Sequence, residues 1–404
     1  MLANKTIVLG ICGGIAVYKV ADLASKLVQA GTKVRVIMTE SAQEFVSPLT
    51  FEAITTNQVV TDMFQTNAEH RMNHISLSEV ADAVIVAPAT ANIIAKIAAG
   101  IADNMLTTTI LATRAPIIIA PSMHTCMWEN SVTQENIAKL KQRGFHIVEP
   151  GIGRLASGGF GAGRLPDTET LMGHLQQVMG KKGDLAGKHI VVTAGGTQEP
   201  IDPVRVITNR SSGKMGYALA EAARDRGASV TLITAPTALN RPVGIIIEDI
   251  ETTVELQDAV NAACTKADVL IMAAAPADFR IKKLSENKIK KDKGNLTLEL
   301  VNNPDILAEL KSRCIKVGFA AESQDLLANA TRKLTQKGLD LIVANNIHEK
   351  GIGFGSNDNK VSLISRRGEI EDIPVMNKRA VADIILDRVV NLIKNKASKT
   401  VKRK

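Results

Sequence analysis

Two glycine-rich segments lie where a strand pattern changes to a helix pattern, a position suited to binding phosphate. The first, GICGGIA, contains Gly10, Gly13 and Gly14, and the second, ITNRSSGKMG, ends where a helix begins near Lys214. Backbone N–H groups and the positive end of a helix attract anions at such turns. Neither segment matches the dinucleotide fingerprint or the Walker loop. We therefore expect a mononucleotide at the first and phosphate at the second, although a turn without a ligand is the alternative for each.

A histidine and two proline-led loops add to the chemistry of the first segment. His74 lies in MNHISLS, and the loops PATANI (88–93) and PSMHTCMW (121–128) follow two predicted strands. The carboxyl ends of parallel strands are where open α/β sheets bind ligands. A lone histidine is more often structural, but beside these loops His74 is a candidate acid–base group. The six glycines of residues 151–164 indicate either a solvent linker or, as we prefer, a mobile lid over this site.

The second half of the chain carries an acid and several lysines near predicted strand ends. Asp278 follows the apolar run of AAAPADF, NKIKK supplies Lys288, and Lys333 and Lys337 share one helix face. A lysine run is usually a solvated surface, but beside a strand end and an acid it can neutralise a triphosphate. This region therefore predicts a nucleotide site.

The elements that position these residues form two series of alternating strand and helix patterns. The alternation lapses at residues 181–188 and restarts with IVVTA. The predicted fold is α/β, with two fused Rossmann-like three-layer domains and mainly parallel sheets. We expect the domains at 1–180 and 186–404, the second of them ending in a hairpin within 360–374 and a helix over 378–393.

Composition narrows the class of protein. Hydrophobic residues make up 45% of the chain and aromatic residues only 3%, so the core must be aliphatic, as in buried parallel sheets. Six of the net eight positive charges lie in the last eleven residues, a basic tail that we expect to be frayed. Because aromatic stacking surface is scarce, we do not expect nucleic acid as a partner. The cysteines show no metal spacing and no apolar run approaches the length of a membrane span, so we expect a cytoplasmic protein without a membrane partner.

The motifs of the first half together resemble the family of homo-oligomeric flavin-containing cysteine decarboxylases. The resemblance rests on GGIA, His-Ile-x-Leu, PATAN and Pro-x-Met-x-x-x-Met-Trp, and it covers about residues 5–175. In that family FMN oxidises the substrate thiol to a thioaldehyde, whose C=S group accepts the electrons left by carbon dioxide, and the enethiolate is then reduced. The resemblance implies trimeric contacts at the sites, with His74 as the catalytic base. It also implies contacts to FMN from Gly10, Gly13, Gly14, Thr39, Ser41 and Pro88, and to the substrate carboxylate from Asn92, Met123 and His124.

Two residues depart from the pattern of that family. His124 stands where the family motif has asparagine, and it can still donate a hydrogen bond to a carboxylate. Ser157 stands where the lid of bifunctional relatives has a cysteine that protonates the enethiolate. An alcohol is a far weaker acid than a thiol, whose pKa is about 8.5 in model peptides. We therefore expect Ser157 to relay a proton through water, with Cys126 as the alternative donor.

The motifs of the second half resemble phosphopantothenate–cysteine ligase. The resemblance rests on TAGGT, DPVR, ITNRSSGKMG and the KIKK run, and it covers about residues 186–393. In that family CTP activates the carboxylate of 4′-phosphopantothenate as an acyl-cytidylate, and the amine of L-cysteine then displaces CMP; Mg²⁺ and lysines offset the phosphate charge. The resemblance implies dimeric contacts, with Asn209 holding the acyl-cytidylate and Lys288 binding or activating CTP. It further implies a CTP pocket formed by Ala273, Ala274, Asp278, Pro304, Asp305, Ile306, Phe319, Lys333 and Lys337.

The two resemblances together predict a bifunctional enzyme of coenzyme A synthesis, because the ligase makes the substrate of the decarboxylase. One alternative is a front half with other flavin chemistry, on a peptide cysteine or a prenylated flavin, which the attached ligase disfavours. A second is a ligase whose front half is a lapsed, flavin-binding regulatory domain, which the presence of His74 disfavours. A third, a nicotinamide dehydrogenase, is disfavoured by the missing fingerprint.

Overall fold

Runs of aliphatic residues build a separate sheet in each of two units, Met1–Gly180 and Lys181–Lys404. Helices cover both faces of each sheet, so the central strands are buried on both sides. Both units are therefore three-layer α/β folds, and the predicted fold class is confirmed. The computed structural model describes residues 2–64, 73–291, 296–322, 326–346 and 355–401.

The first unit contains a five-stranded parallel sheet. Its strands are β1 (Thr6–Ile11), β2 (Lys33–Met38), β3 (Ala83–Ala89), β4 (Ile117–Pro121) and β5 (His146–Ile147). Its helices are α1 (Val17–Gln29), α2 (Glu40–Gln43), α3 (Pro48–Thr55), α4 (Asn73–Val80), α5 (Ala91–Ala99), α6 (Met105–Ala112), α7 (Thr125–Trp128), α8 (Ser131–Gln142) and α9 (Thr168–Gly180). The strand order is β2-β1-β3-β4-β5. Because the order reverses between β1 and β3, the loops that follow them diverge and leave a crevice.

The segment predicted as a lid is an antiparallel hairpin of β6 (Gly151–Arg154) and β7 (Phe160–Arg164). Its glycines let it lie directly on the loop after β4. A Cβ atom on Gly163, whose φ is +138°, would lie 2.1 Å from the carbonyl oxygen of Met123. The N–H of Met123 donates to the carbonyl of Gly163 at 3.0 Å, and the Thr125 hydroxyl donates to the carbonyl of Ala162 at 2.7 Å. The hairpin is thus bonded to the unit rather than being a linker, and its mobility stays a prediction.

The second unit contains an eight-stranded sheet and two small two-stranded sheets. The strands of the large sheet are β8 (His189–Ala194), β11 (Ser229–Thr234), β12 (Ile246–Asp249), β13 (Val269–Met272), β16 (Ile315–Glu322), β17 (Leu341–Asn346), β18 (Asp358–Ser365) and β19 (Ile370–Asn377). The small sheets pair β9 (Gln198–Pro200) with β10 (Val206–Thr208), and β14 (Phe279–Ile281) with β15 (Leu300–Asn302). The helices are α10 (Lys214–Asp225), α11 (Thr253–Ala263), α12 (Ile306–Glu309), α13 (Leu326–Gln336) and α14 (Lys378–Val401).

The order of the large sheet, β12-β11-β8-β13-β16-β17-β18-β19, reverses between β8 and β13. The neighbours are parallel as far as β17, and the predicted late hairpin is confirmed as the antiparallel pair β18 and β19. A second crevice is therefore expected beside the ends of β8 and β13.

The last helix is longer than predicted. Instead of ending at 393 and leaving a frayed tail, α14 continues to Val401, and residues 402–404 lie outside the described part. Its packed residues, from Val381 to Ile393, contact α10 and the large sheet, and the helix continues beyond the last of them. None of the helices within the described ranges is both long and apolar enough to cross a membrane.

Candidate active sites

A cavity of about 640 Å³ opens in the first unit beside the ends of β1 and β3. The loops after β1, β3 and β4 form its walls together with the β6–β7 hairpin. Five of the predicted site residues line it: Gly13, Gly14, Met123, His124 and Ser157. Ser157 is exposed at the tip of the hairpin, as expected for a lid residue.

The glycines after β1 let two backbone segments approach closely. A Cβ atom on Gly13 would lie 2.4 Å from Cβ of Ser41 and 2.7 Å from its carbonyl oxygen. Gly14 is less crowded, since a Cβ atom there would meet only Thr90, in van der Waals contact at 3.9 Å. The loops after β1 and β2, which were both predicted to bind the cofactor, therefore meet at Gly13. The surface is less crowded at Gly14, where a ligand could bind. This cradle fits a phosphate-bearing ligand.

A hydrogen bond in the loop after β4 determines which ring nitrogen of His124 carries the proton in the neutral ring. Its Nδ1 accepts the N–H of Cys126 at 3.3 Å and so caps α7. In a neutral ring the proton is then on Nε2. His124 can consequently donate a hydrogen bond to a carboxylate, as the predicted replacement of asparagine requires.

The remaining predicted residues of the first unit do not line this cavity. His74 lies in α4, which packs against α6, and Gly10 abuts Leu106 of α6. Pro88 is buried within β3, Asn92 is exposed on α5, and Thr39 and Ser41 lie at the start of α2.

His74 has an unusual environment. Its Nδ1 atom is buried and has no hydrogen-bond partner among the described residues. A buried polar atom without a partner is costly, so such an atom fits a site at which a ligand supplies the partner. The sequence identified His74 by its segment, and the structure adds this chemical reason.

Three cations that we did not predict also line the first cavity: Lys19, Arg154 and Arg164. The virtual Cβ of Gly153 lies 2.6 Å from Nη1 of Arg164, so the guanidinium lies across that glycine. Both arginines lie in the glycine-rich segment 151–164, and two cations within a predicted lid were the signal that we overlooked. Their charges suit an anionic ligand.

A second cavity, of about 690 Å³, lies in the second unit beyond the end of β13, and β16 and the start of α10 also contribute to its lining. Ten predicted residues line it together: Asn209, Ala273, Ala274, Asp278, Pro304, Asp305, Ile306, Phe319, Lys333 and Lys337. Almost all of the residues that the sequence predicted for the ligase site therefore lie together in one cavity.

Asn209 is held at the rim of this cavity by its amide nitrogen. The Nδ2 atom donates to the carbonyls of Ala275 at 3.3 Å and Pro276 at 2.9 Å. A Cβ on Gly196 would lie 2.7 Å from the carbonyl oxygen of Asn209, so glycine permits this approach. Because Nδ2 already donates to these carbonyls, Oδ1 is the side-chain atom that can accept a hydrogen bond from a ligand.

Asp305, which also lines the cavity, links α12 to the end of α13. Its carboxylate accepts the N–H of Ala308 at 3.2 Å as the cap of α12 and pairs with Lys337 at 3.1 Å. The cap and the ion pair fix the start of α12 against α13. Strand ends are fixed in a similar way, since the hydroxyl of Thr193 accepts the N–H of Ala274 at 3.0 Å.

Lys288 does not line the second cavity. It is exposed on the loop between β14 and β15, and its neighbour anchors that loop. The N–H of Ile289 donates to Asp202 at 3.1 Å, and Arg205 donates to the carbonyl of Ile289 at 2.6 Å. Its action on CTP stays a prediction.

Asp202 is buried, with 2% of its surface exposed. Burial by itself raises the pKa of this carboxyl group, but the N–H groups of Val204, Ile289 and Arg205 and the Arg205 guanidinium lower it to about 2. The carboxylate is therefore ionised at neutral pH and holds the loop of Lys288.

Two lysines of the second cavity were not among the predicted site residues. Lys214 begins α10 and Lys378 begins α14, and both line the cavity. Burial and the charge of Lys214 lower the pKa of Lys378. Lys214 lies in the ITNRSSGKMG motif. Lys378 lies more than 150 residues later, and no sequence motif connects it with this site.

Comparison with known proteins covers both units. Residues 1–180 match the family model described as Flavoprotein, and residues 185–393 match the model of the DNA/pantothenate metabolism flavoprotein C-terminal domain. The chain is 46% identical over 400 residues to the coenzyme A biosynthesis bifunctional protein CoaBC of Bacillus subtilis, covering 98% of each chain. It is 44% identical over 391 residues to the CoaBC protein of Vibrio cholerae, covering 95% of this chain and 98% of the relative.

Two solved structures resemble single units. The crystal structure of the C-terminal domain of a CoaBC protein shows 37% identity and a TM-score of 0.46, covering 53% of this chain and 99% of that one. A PPC decarboxylase mutant complexed with pantothenoylaminoethenethiol shows 28% identity and a TM-score of 0.40, covering 43% of this chain and 97% of that one.

Proposed function

This chain belongs to the family of bifunctional coenzyme A biosynthesis proteins, and from that membership we propose how its two units divide the work. The enzyme joins 4′-phosphopantothenate to L-cysteine with CTP, and then decarboxylates 4′-phosphopantothenoyl-L-cysteine with a flavin to give 4′-phosphopantetheine. We assign the decarboxylase to residues 1–180 and the ligase to residues 186–404. The main support for this division is the common cavity of the second unit, where ten predicted ligase residues converge.

In the ligase, the chain must offset the charge of a triphosphate and hold an activated acyl group. We propose that Lys333 on α13 and Lys337, just after this helix, provide positive charge, with Asp305 keeping Lys337 in place. Pro304, Ile306, Phe319, Ala273 and Ala274 form the less polar walls, suited to the cytosine ring and ribose. Oδ1 of Asn209 then accepts a hydrogen bond from the cysteine amine as it attacks the acyl-cytidylate. Lys288 acts on the α-phosphate from its own loop.

Mg²⁺ enters this scheme with CTP. Within the described ranges no group of three or more His, Cys, Asp or Glu side chains is arranged to hold a metal ion. Mg²⁺ is commonly bound through one or two carboxylates together with substrate phosphates and water. Asp278, which lines the cavity, is the carboxylate that we propose for it.

In the decarboxylase, the residues present fit FMN. The cradle formed by Gly13 and Ser41, with Gly10, Gly14, Thr39 and Pro88 nearby, suits its phosphate and ring. When bound, FMN supplies the oxidation of the substrate thiol and the final reduction. His74, with a buried and unpartnered Nδ1, serves as the base for the thiol proton. His124, Met123 and Asn92 hold the carboxylate that leaves as carbon dioxide.

The last proton of the decarboxylase cycle needs a donor. Ser157 at the hairpin tip lines the cavity, whereas Cys126 does not. We therefore favour Ser157, whose hydroxyl orders a water molecule beside the enethiolate. This water gives its proton to the enethiolate carbon, and bulk solvent returns a proton to the resulting hydroxide, so the Ser157 hydroxyl stays protonated.

The assembly that we propose is a homo-oligomer, with trimeric contacts in the decarboxylase unit and dimeric contacts in the ligase unit, in the cytoplasm. Ile15 and Tyr18 support the trimeric contact, since they line the first cavity with 59% and 60% of their surface exposed. Apolar side chains at a cavity rim suit cover by a neighbouring copy. Light scattering of the purified protein will measure the number of subunits.

One experiment tests both activities together. The purified chain should be yellow, with an FMN absorption spectrum, and should convert 4′-phosphopantothenate, cysteine and CTP to 4′-phosphopantetheine. A colourless protein that makes only 4′-phosphopantothenoylcysteine would show instead that the first unit has lost its activity.

A further inference from the structure

Two cysteines are buried together in the second unit, at the end of the large sheet opposite to the cavity. Cys264 directly follows α11, and Cys314 directly precedes β16. Because β13 and β16 are parallel, with Val269 opposite Ile315, Cys314 lies at the amino ends of these strands. The exposed fractions of the two cysteines are 2% and 8%, and both belong to one cluster of buried side chains. Neither proposed activity uses these thiols.

Hydrogen bonds hold the two cysteines against each other. The hydroxyl of Ser312 donates to the carbonyl of Cys264 at 2.9 Å and accepts the N–H of Cys314 at 3.2 Å. The two thiol groups are also hydrogen-bonded to each other. Both are free cysteines. Two thiols in contact are positioned to form a disulfide, which requires the removal of two electrons and two protons.

The surroundings make Cys314 the more reactive of the two thiols. Lys316 lies two residues beyond it, and Lys396 of α14 donates to the carbonyl of Arg313. The hydrogen bond from Cys264 and the charges of these two lysines lower the pKa of Cys314, although burial alone would raise it. The same hydrogen bond, together with burial, raises the pKa of Cys264. Cys314 is therefore the thiolate, which is the nucleophilic form, and Cys264 is its neutral neighbour.

The two cysteines of the first unit provide a comparison. Cys12 is buried, and burial raises the pKa of its thiol to about 12. Cys126 is exposed to solvent. A buried thiol with a raised pKa is inert, whereas an exposed thiol is accessible to oxidants. These two residues therefore serve as internal standards, one for slow oxidation and one for ready oxidation.

We propose that Cys264 and Cys314 form a site of reversible oxidation by hydroperoxides. The thiolate of Cys314 attacks one oxygen of hydrogen peroxide, the O–O bond breaks, and the other oxygen leaves as water after taking a proton. The resulting sulfenic acid of Cys314 is attacked at sulfur by the Cys264 thiol. The S–S bond forms, and the sulfenic oxygen leaves as a second water molecule with the Cys264 proton and one from solvent. Two thiols are thus oxidised by two electrons, and one peroxide is reduced.

The disulfide closes the segment 264–314. This segment contains β13, β14, β15 and α12, and with them the predicted ligase residues Asp278, Lys288 and Asp305. A cross-link restricts the unfolded chain, and the effect grows with the length of the closed loop. Oxidation should therefore stabilise the second unit against unfolding. Thiols such as dithiothreitol reverse the step by exchange.

The first test uses the full-length wild-type protein and hydrogen peroxide, so it needs no variant to fold and no substrate. The peroxide concentration is raised until Cys126 is oxidised, the remaining thiols are blocked, and the peptides are identified by mass spectrometry. We expect Cys264 and Cys314 to be joined, Cys12 to stay reduced, and dithiothreitol to restore both thiols. Oxidation of Cys126 without this disulfide would overturn the proposal. The result does not depend on the proposed function.

Two single variants test the order of attack. Cys264→Ser retains the nucleophile and removes the second thiol, so Cys314 should stop at the sulfenic acid, which dimedone traps when the treated protein is unfolded. In Cys314→Ser, Cys264 should remain unlabelled under the same treatment. Label on Cys264 and none on Cys314 would contradict the assignment of Cys314 as the nucleophile.

Calorimetry measures the effect of the cross-link. After peroxide, the second unit of the wild type should unfold about 5–10 °C above that of the reduced protein. Peroxide-treated Cys264→Ser is the matched control, since it undergoes the same oxidation elsewhere but cannot form the disulfide, and its unfolding temperature should not rise. A rise of equal size in this variant would show that the stabilisation does not come from the cysteine pair.

Discussion

Ser157 stands at the tip of the β6–β7 hairpin and lines the first cavity, at the position where the sequence resemblance places a thiol. We predict that Ser157→Ala slows formation of 4′-phosphopantetheine by roughly tenfold or more, because the final proton transfer loses its relay. The oxidised enethiol product should then accumulate and be detected by mass spectrometry. Ser157→Cys should speed the same step. Cys126→Ser is the control, and an effect of Cys126→Ser equal to that of Ser157→Ala would give the role to Cys126.

Lys288 is exposed on its own loop outside the cavity lining, so its role requires the loop to reach bound CTP. We predict that Lys288→Gln abolishes acyl-cytidylate formation, because a developing phosphate charge loses its cation. The exposed neighbour Lys290 provides the control as Lys290→Gln. Pyrophosphate release measured without cysteine reports this step, and unchanged release in Lys288→Gln would remove the residue from the mechanism.

At this scale the sequence was informative where residues belong to continuous motifs. Asn209 and Asp278 were identified in that way and line one cavity. Lys378 was not, because its contact with Lys214 is formed by the fold between residues far apart in the chain. The buried and unpartnered Nδ1 of His74 is likewise invisible in a sequence, since burial depends on the packing of α4 against α6.

Among the elements, the loop between β14 and β15 depends on one buried carboxylate. Asp202 accepts N–H groups from its own turn and from Ile289 on that loop. We predict that Asp202→Asn frees the loop and raises the KM for CTP, because Lys288 loses its fixed position. Steady-state ligase kinetics measure the effect. Exposed Asp249, which pairs with Arg241, gives the control Asp249→Asn, for which we expect no change.

The same carboxylate gives a pH dependence of known sign. Its pKa is about 2 in the folded protein and about 3.9 in an unfolded chain. The stabilisation is therefore fully present above about pH 4 and is lost as the pH falls towards 2. Thermal unfolding of wild type and Asp202→Asn between pH 5 and pH 2.5 should show a difference that shrinks with acidity. A difference that stays constant would contradict this assignment.

Helices α10 and α14 are joined by a buried ion network. Asp225, which is fully buried, pairs with Arg224 at 2.6 Å and with Arg379 at 2.7 Å. We predict that Asp225→Ala destabilises the second unit by about 3–5 kcal/mol, because the buried Arg224 loses its counter-charge. Calorimetry should show one transition lowered by about 10 °C. The exposed pair of Arg241 and Asp249 is the control, since Asp249→Ala should change stability by less than about 1 kcal/mol.

The elements show why the sequence predicted the sheets better than their connections. Central strands such as β3 and β13 are continuous runs of aliphatic residues, and each such run can be predicted as a strand without knowledge of the others. The β6–β7 hairpin has no such run, since its position depends on Gly163 meeting the carbonyl of Met123. The helix α14 also continues beyond Ile393, its last residue packed on the core, so the apolar pattern alone did not predict its end.

For the whole molecule, the important feature is that each unit has its own cores and its own cavity. Among the described residues, each cluster of buried side chains belongs either to Met1–Gly180 or to Lys181–Lys404. The lining of each cavity likewise comes from a single unit. We predict that the product of the ligase is released into solution before it is decarboxylated.

This separation leads to a complementation experiment with two inactive enzymes. His74→Asn blocks the decarboxylase and Lys288→Gln blocks the ligase, so neither variant alone should make 4′-phosphopantetheine from 4′-phosphopantothenate, cysteine and CTP. Their mixture should make it after a lag, because 4′-phosphopantothenoylcysteine released by the first variant diffuses to the second. The lag should shorten as the concentration of the Lys288→Gln variant rises. No product from the mixture, although the Lys288→Gln variant decarboxylates added 4′-phosphopantothenoylcysteine, would mean that the intermediate is not released between the two steps.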